Sequence, residues 1–136
     1  MSPHEVLHPA NWTPARGYAN GIAAEGRMVF TGGLIGWTSD QRFETDDFAE
    51  QAAQALRNVV EVLACAGAKP EHLVRLTWYV TDKQEYLGSL RALGTTYREI
   101  IGRNYPAMAL VQVVALVEDR AKVEIEATAV IPREAP

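Results

Sequence analysis

The sequence predicts an α+β fold in which a mixed β-sheet carries two helices on one face. Apolar residues recur every three or four positions over residues 48–66 and again over residues 86–101, which predicts two amphipathic helices. Runs rich in β-branched residues precede, separate and follow these helices, which predicts the order β-β-α-β-α-β-β. At 136 residues the chain is long enough for one hydrophobic core, and we expect a single domain over residues 1–136.

The composition is typical of a soluble globular chain, with 48% apolar and 22% charged residues. No apolar run approaches the roughly 18 residues that span a bilayer, and the first residues lack a signal-peptide pattern. Cys65 is the only cysteine, which excludes an internal disulfide and fits a reducing compartment. The net charge of −4 gives no general attraction for nucleic-acid phosphates. We therefore expect a cytoplasmic protein without nucleic-acid or membrane partners.

The first part of the chain predicts an irregular arm followed by two strands. Three prolines in residues 1–16 disfavour regular structure there. Residues 18–24 are a candidate first strand, and residues 27–31 are a stronger one. The second strand runs into Gly32 and Gly33, and adjacent glycines mark either a bulge or a place where another group approaches the backbone closely.

Both predicted helices have start and stop signals. The first begins with Asp47 and Glu50 in a capping-box pattern and ends before Gly67. The second begins after Asp82 and ends before Gly102. These signals bound each helix independently of its apolar periodicity.

The C-terminal part predicts further strands. Residues 73–80 form one, and residues 105–132 predict an antiparallel hairpin whose first arm is apolar on both faces. The second arm alternates, with Glu124 and Glu126 on the face opposite its apolar residues. Two helices can cover only one face of the sheet, so we expect another subunit on the other face and a closed homo-oligomer.

Several sequence blocks resemble the RidA/YjgF/UK114 family of reactive enamine/imine deaminases. The matching blocks are residues 17–18, 28–33, 51–58, 66–67, 77–82, the Tyr-Pro-Ala of 105–107, and the Val-Glu-Ile-Glu-Ala of 123–127. They occur in the family's order and cover almost the whole chain. The resemblance implies a chorismate-mutase-like (YjgF-like) α+β fold and a homotrimer with pockets at the subunit interfaces.

The chain departs from the family at the implied substrate site. An arginine that clamps the substrate carboxylate in the deaminating members is replaced by Met108. The family's strand serine, helix asparagine and strand cysteine correspond to Gly32, Gly94 and Leu110, whereas Tyr18 is retained. The sequence therefore resembles an arginine-lacking branch and is similar to the branch that deaminates 2-aminomuconate. The implied substrate-binding residues are Tyr18, Gly32, Gly33, Gly94, Met108 and Leu110.

The resemblance implies that Glu124 is the catalytic residue, which directs and deprotonates the water that attacks the imine carbon. Glu124 could instead face solvent or pair with a basic residue, and Met108 could be only an apolar part of the pocket wall. The glycines could reflect tight packing or a pocket enlarged for a bulkier ligand. Arg16 could replace the missing clamp or be a solvated surface residue. Two functions follow: a deaminase-like hydrolase acting on a small conjugated enamine/imine, with 2-aminomuconate as the candidate substrate, or a non-catalytic trimeric protein that binds a small metabolite.

Other chemistries find no support in the sequence. His4, His8 and His72 lack metal-ligand spacing, and no phosphate-binding, dinucleotide or nucleophile-elbow motif occurs. We expect no metal and no cofactor. The family has also been described as endoribonuclease L-PSP and as a translation inhibitor. The negative net charge of this chain gives no support to nucleic-acid binding. The expected partners are a small-molecule substrate or ligand and further copies of the chain.

Overall fold

The computed structural model describes residues 2–133. The first strands are β1 (Glu5–Leu7), β2 (Gly21–Ala23), β3 (Arg27–Phe30) and β4 (Leu34–Ile35), followed by the helix α1 (Phe48–Ala64). A short 3₁₀ helix (Pro70–His72) leads into β5 (Leu73–Val80), the helices α2 (Lys83–Leu87) and α3 (Leu90–Ile100), and the strands β6 (Ala107–Gln112) and β7 (Val123–Ile131). The mixed α+β architecture predicted from the sequence is confirmed, with three helices instead of two.

The main sheet has the strand order β3-β7-β5-β6, and β4 also pairs with β7. Strand β7 is antiparallel to β3, β4 and β5, whereas β6 is parallel to β5. The predicted hairpin of residues 105–132 is therefore wrong, because β5 lies between the two arms. The reason is the helical connection from β5 to β6, since a β-helix-β unit places its two strands side by side and parallel. Strand β7 then pairs with the other edge of β5.

Helix α1 follows its sequence signals closely. The Asp47 carboxylate accepts a hydrogen bond of 3.0 Å from the Glu50 backbone N–H, as expected of an N-cap. The Glu50 side chain does not complete the capping box, because its carboxylate accepts a hydrogen bond from the Thr45 hydroxyl. Gly67 has a φ of +78°, the left-handed conformation that commonly ends a helix.

The second predicted helix is interrupted. Helix α2 is capped by Asp82, which accepts from the Gln84 N–H, and it ends at Gly88. Ser89 has φ −116° and ψ 10°, outside the helical region, and its hydroxyl donates to the Glu85 carbonyl. A glycine inside a helix costs roughly 1 kcal/mol relative to alanine, and a serine hydroxyl bonded to the backbone competes with helix continuation. The apolar periodicity of the sequence continues across this break, so the sequence pattern did not indicate it.

The N-terminal arm contains one strand, β1, that the sequence did not predict, whereas β2 lies within the candidate strand of residues 18–24. Strands β1 and β2 form a separate two-stranded antiparallel sheet, with Val6 opposite Ile22. The prolines of the arm, Pro3, Pro9 and Pro14, all lie outside these short strands, so they do not prevent the pairing.

The core lies between the helices and one face of the sheet. On β7, every second residue over positions 123–129 is buried on the side that faces α1, and Ile125 is one of them. Trp78 of β5 pairs with Ile125 and lies on the same face. The opposite, helix-free face carries Glu124 and the half-buried Tyr79, which are paired across β7 and β5. Large apolar side chains on the helix-free face are exposed: Met28 by 58%, Phe30 by 64% and Val111 by 45%.

No helix within residues 2–133 is long and apolar enough to cross a membrane.

Candidate functional site

A cavity of about 500 Å³ lies where α3 meets β5 and β6. Its walls are mostly apolar or aromatic, and they include four predicted site residues: Tyr18, Gly94, Met108 and Leu110. Met108 and Leu110 face this side of the sheet because they lie in register with Leu76 and Trp78 of β5. The volume falls within the range of small-molecule sites in proteins.

Backbone contacts hold the loop that carries Tyr18 against the start of β6. Ala19 forms an isolated bridge with Ala107, and its N–H donates a 2.9 Å hydrogen bond to the Pro106 carbonyl. Tyr18 lies just before this anchor and remains 44% exposed. The tyrosine therefore stands at the mouth of the cavity, half open to solvent.

A pair of tyrosines forms another part of the wall. The rings of Tyr97 and Tyr105 stack with centroids 5.4 Å apart and planes 10° from parallel. The Tyr97 hydroxyl donates to the Asn104 carbonyl. Burial raises the pKa of Tyr97 above its ordinary value, and the adjacent Tyr105 contributes to the shift.

The cavity wall carries few polar groups. Trp78 is only 4% exposed, and its indole Nε1–H has no hydrogen-bond partner in the described part of the chain. Arg16 and Arg98 line the same cavity. The sequence interpretation considered Arg16 and missed Arg98, for which the available signal was its position four residues after Gly94 on one helix face.

Glu124 lies on the other face of the sheet, against Gly33. A Cβ atom at Gly33 would overlap with Oε2 of Glu124 and would lie 2.7 Å from its Cδ. The missing side chain at Gly33 therefore makes room for this carboxylate. At Gly32 a Cβ atom would meet no other atom within 4 Å, so that glycine leaves open space.

The carboxylates beside Tyr79 differ in their partners. The Tyr79 hydroxyl donates a 2.7 Å hydrogen bond to Glu126. This bond to Glu126 raises the pKa of Tyr79, with smaller contributions from desolvation and from the charges of Glu126 and Glu124. Within residues 2–133, the half-buried Glu124 carboxylate forms no hydrogen bond and no salt bridge. A free carboxylate in this position can hold a water molecule.

The predicted site residues therefore fall into two groups. Tyr18, Gly94, Met108 and Leu110 surround the cavity on the helix side, whereas Glu124 and Gly33 meet on the helix-free side. The predicted hairpin would have placed Glu124 beside the strand that carries Met108 and Leu110, and the structure of one chain does not do so. The cause is the strand pleat, since Glu124 pairs with Tyr79, and Leu110 pairs with the adjacent Trp78.

No group of three or more His, Cys, Asp or Glu side chains among residues 2–133 could hold a metal ion.

The family described as endoribonuclease L-PSP matches residues 9–131. The chain belongs to this family, the YjgF/RidA family. The 2-iminobutanoate/2-iminopropanoate deaminase of Salmonella typhimurium is 33% identical over 116 residues, which cover 83% of this chain and 86% of that protein. The human protein of the same name is 31% identical over 105 residues, which cover 76% of this chain and 73% of that protein. Imine deaminases are thus among the named members of the RidA family.

Solved structures agree with the RidA-family fold. YyfB from Yersinia pestis, of the conserved Rid protein family, superposes with a TM-score of 0.84 at 28% identity, covering 94% of this chain and 98% of that one. Escherichia coli TdcF with bound serine superposes with a TM-score of 0.66 at 30% identity, covering 90% of this chain and 92% of that one. The sheet order and helix placement described above are therefore those of a RidA-family protein.

Proposed function

We propose that this protein is a deaminase-type hydrolase that acts on a small conjugated enamine/imine, with Glu124 assisting the attack of water. The main support is the unpaired Glu124 carboxylate, seated in the space that Gly33 leaves, in a family whose named relatives include imine deaminases. We propose that residues 1–136 form a single RidA-like domain.

In the proposed reaction, Glu124 takes a proton from water as the water oxygen bonds to the imine carbon, and it passes that proton to the imine nitrogen. The resulting carbinolamine carries both the new hydroxyl and the amino group. Glu124 then takes the hydroxyl proton and delivers it to nitrogen as the C–N bond breaks, so that ammonia leaves and a carbonyl compound remains. The Glu124 carboxylate acts first as a base and then as an acid, so the proposed reaction balances without a cofactor.

The proposed protein works as a homotrimer with sites at the subunit interfaces. Glu124 and the cavity lie on opposite faces of one sheet, so one copy supplies Glu124 and a neighbouring copy supplies the cavity. The exposed Met28, Phe30 and Val111 on the helix-free face support this assembly, because a neighbouring copy would bury them.

The candidate substrate is 2-aminomuconate. The family resemblance implies that Met108 stands in place of the clamping arginine, and a thioether cannot form a bidentate contact with a carboxylate. Short substrates such as 2-aminoacrylate should therefore be poor. A cavity of about 500 Å³, with no side chain at Gly94, suits a longer conjugated molecule.

The test is ammonia release from enzymatically generated 2-aminomuconate and 2-aminoacrylate, compared between the wild-type protein and Glu124→Gln. We expect faster turnover of 2-aminomuconate, and a loss of roughly 10²–10⁴-fold in rate for Glu124→Gln with the assembly intact. A Glu124→Gln protein as fast as the wild type would refute the mechanism. Robust turnover of 2-aminoacrylate would show that the clamp lies elsewhere than position 108.

A non-catalytic trimer that binds a small metabolite is the second candidate. The cavity walls at Met108 and Leu110 carry no acid, base or nucleophile, which favours simple binding. In that case ligand affinity would survive Glu124→Gln with modest change, and neither substrate would release ammonia.

A further inference from the structure

The cavity beside α3 contains charged and polar groups that the proposed hydrolysis does not use. The guanidinium groups of Arg16 and Arg98 line it, and within residues 2–133 neither forms a salt bridge or a hydrogen bond. The Trp78 indole N–H, almost fully buried in the same wall, also lacks a partner. Arg16 and Arg98 are both exposed, so their guanidinium groups are free to bind a ligand in the cavity.

The Arg98 guanidinium lies over Gly94. A Cβ atom at Gly94 would lie 3.4 Å from Nη1 of Arg98, one helical turn further along α3. Long side chains in a helix lean toward its N-terminus and over the preceding turn. With no side chain at Gly94, the guanidinium lies in the space where a larger residue would stand, at the edge of the cavity.

We propose that Arg98, lying over Gly94, binds the carboxylate of a flat conjugated acid in this cavity, with Arg16 as a second cation. Met108 and Leu110 offer no hydrogen-bond donor, so the anchor for an anion must come from elsewhere in the wall. A guanidinium is suited to this because it donates two parallel hydrogen bonds to one carboxylate. The proposal deepens the proposed function and rests on it for the substrate class.

The rest of the wall fits a flat, elongated ligand. Tyr18 and the stacked pair Tyr97 and Tyr105 present aromatic surface, and Met108 presents a polarisable thioether. Two cations in one mainly apolar cavity favour a conjugated dicarboxylate over a neutral ligand, because a carboxylate is costly to desolvate without a cationic partner. The cation that the relatives carry on a strand is thus supplied here from helix α3.

Binding of trans,trans-muconate, a conjugated dicarboxylate that cannot be deaminated, tests the proposal by titration calorimetry. The proteins compared are the wild type, Arg98→Gln, Arg98→Lys and Arg91→Gln. Arg91 is the matched control, since it is exposed on the same helix and lies outside the cavity. The dimethyl ester of muconate serves as the neutral ligand of similar shape.

We expect Arg98→Gln to weaken muconate binding roughly 10- to 100-fold, Arg98→Lys to retain part of the affinity, and Arg91→Gln to bind as the wild type does. The dimethyl ester should bind poorly to every protein. The proposal is overturned if the wild type does not bind muconate, if Arg98→Gln binds it as tightly, or if the ester binds equally well.

Gly94→Asn provides an independent check. An asparagine at this position would compete with the guanidinium for space while improving helix propensity, so it should weaken muconate binding without loss of fold. Unchanged affinity would contradict the proposed role of Gly94. Because these measurements need no turnover, they separate the two proposals: muconate binding by the wild type and its loss in Arg98→Gln can be observed even if no ammonia is released.

Discussion

At Gly33, the absence of a side chain determines where the Glu124 carboxylate can lie. Gly33→Ala should displace this carboxylate, because the new Cβ would overlap with its Oε2. The overlapping atoms are the far end of a flexible side chain, so the free energy of unfolding should change by less than about 1 kcal/mol. Deamination should fall about 10²-fold, the typical cost of misplacing a catalytic group by about 1 Å.

Gly32→Ala is the matched control for this change, since a Cβ at Gly32 meets open space. Both variants remove one glycine from the same segment, and only one touches Glu124. Ammonia release and thermal unfolding should be measured for both. Equal rates in the two variants would argue against a role for Glu124 in the reaction.

Part of the site was predictable residue by residue. The order of blocks indicated Tyr18, Gly94, Met108 and Leu110, and these side chains do surround one cavity. Arg98 was missed, although its position four residues after Gly94 on the same helix face was a weak signal that its side chain lies over that glycine. The separation of Glu124 from the cavity was also hidden, since it depends on which strand lies next to β7.

At the scale of elements, Tyr97 ties the end of α3 to the segment that leads into β6. Its folded-state pKa is raised, mainly by burial, so the folded protein holds the phenol proton more tightly than the unfolded chain does. The free energy of unfolding should therefore fall as the pH rises above about 10, where the unfolded chain releases this proton.

Tyr97→Phe should remove the contribution of Tyr97 to the fall in the free energy of unfolding at alkaline pH, which is at most about 1.4 kcal/mol per pH unit. At neutral pH it should destabilise the protein by about 1 kcal/mol, because the Asn104 carbonyl loses its donor. Urea denaturation of both proteins from about pH 8 to about pH 11 measures the difference. An identical alkaline slope in the variant would assign the effect to other groups.

The elements themselves were predicted unevenly. Helix α1 was clear because its apolar stripe has capping signals that mark its ends. Strand β5 was clear because its β-branched run is isolated from other apolar segments. The break at Gly88 was missed because apolar periodicity continued across it. The supposed hairpin failed for a different reason: strand pairing is decided by the whole sheet, and adjacency in sequence is only one of the factors.

At the scale of the whole molecule, the helix-free face should be the surface on which copies meet. Light scattering should give about three times the 15.0 kDa mass of one chain. Phe30→Glu should dissociate the assembly, since it places a charge on the exposed apolar face. Val62→Glu, on the outer side of α1, is the control and should leave the mass unchanged. A wild-type protein that remains at the mass of one chain would refute the trimer and its interfacial sites.

Strand β7 is the last strand of the described chain, yet it hydrogen-bonds to β3, β4 and β5. Arg27 pairs with Ile131, so the sheet joins segments that the ribosome makes far apart in time. The nascent chain can form α1 early, but the apolar side of that helix has no β7 to pack against until residues 123–131 have been made. Such non-local pairing slows folding and lengthens the period in which apolar surface is open to chaperones and to aggregation.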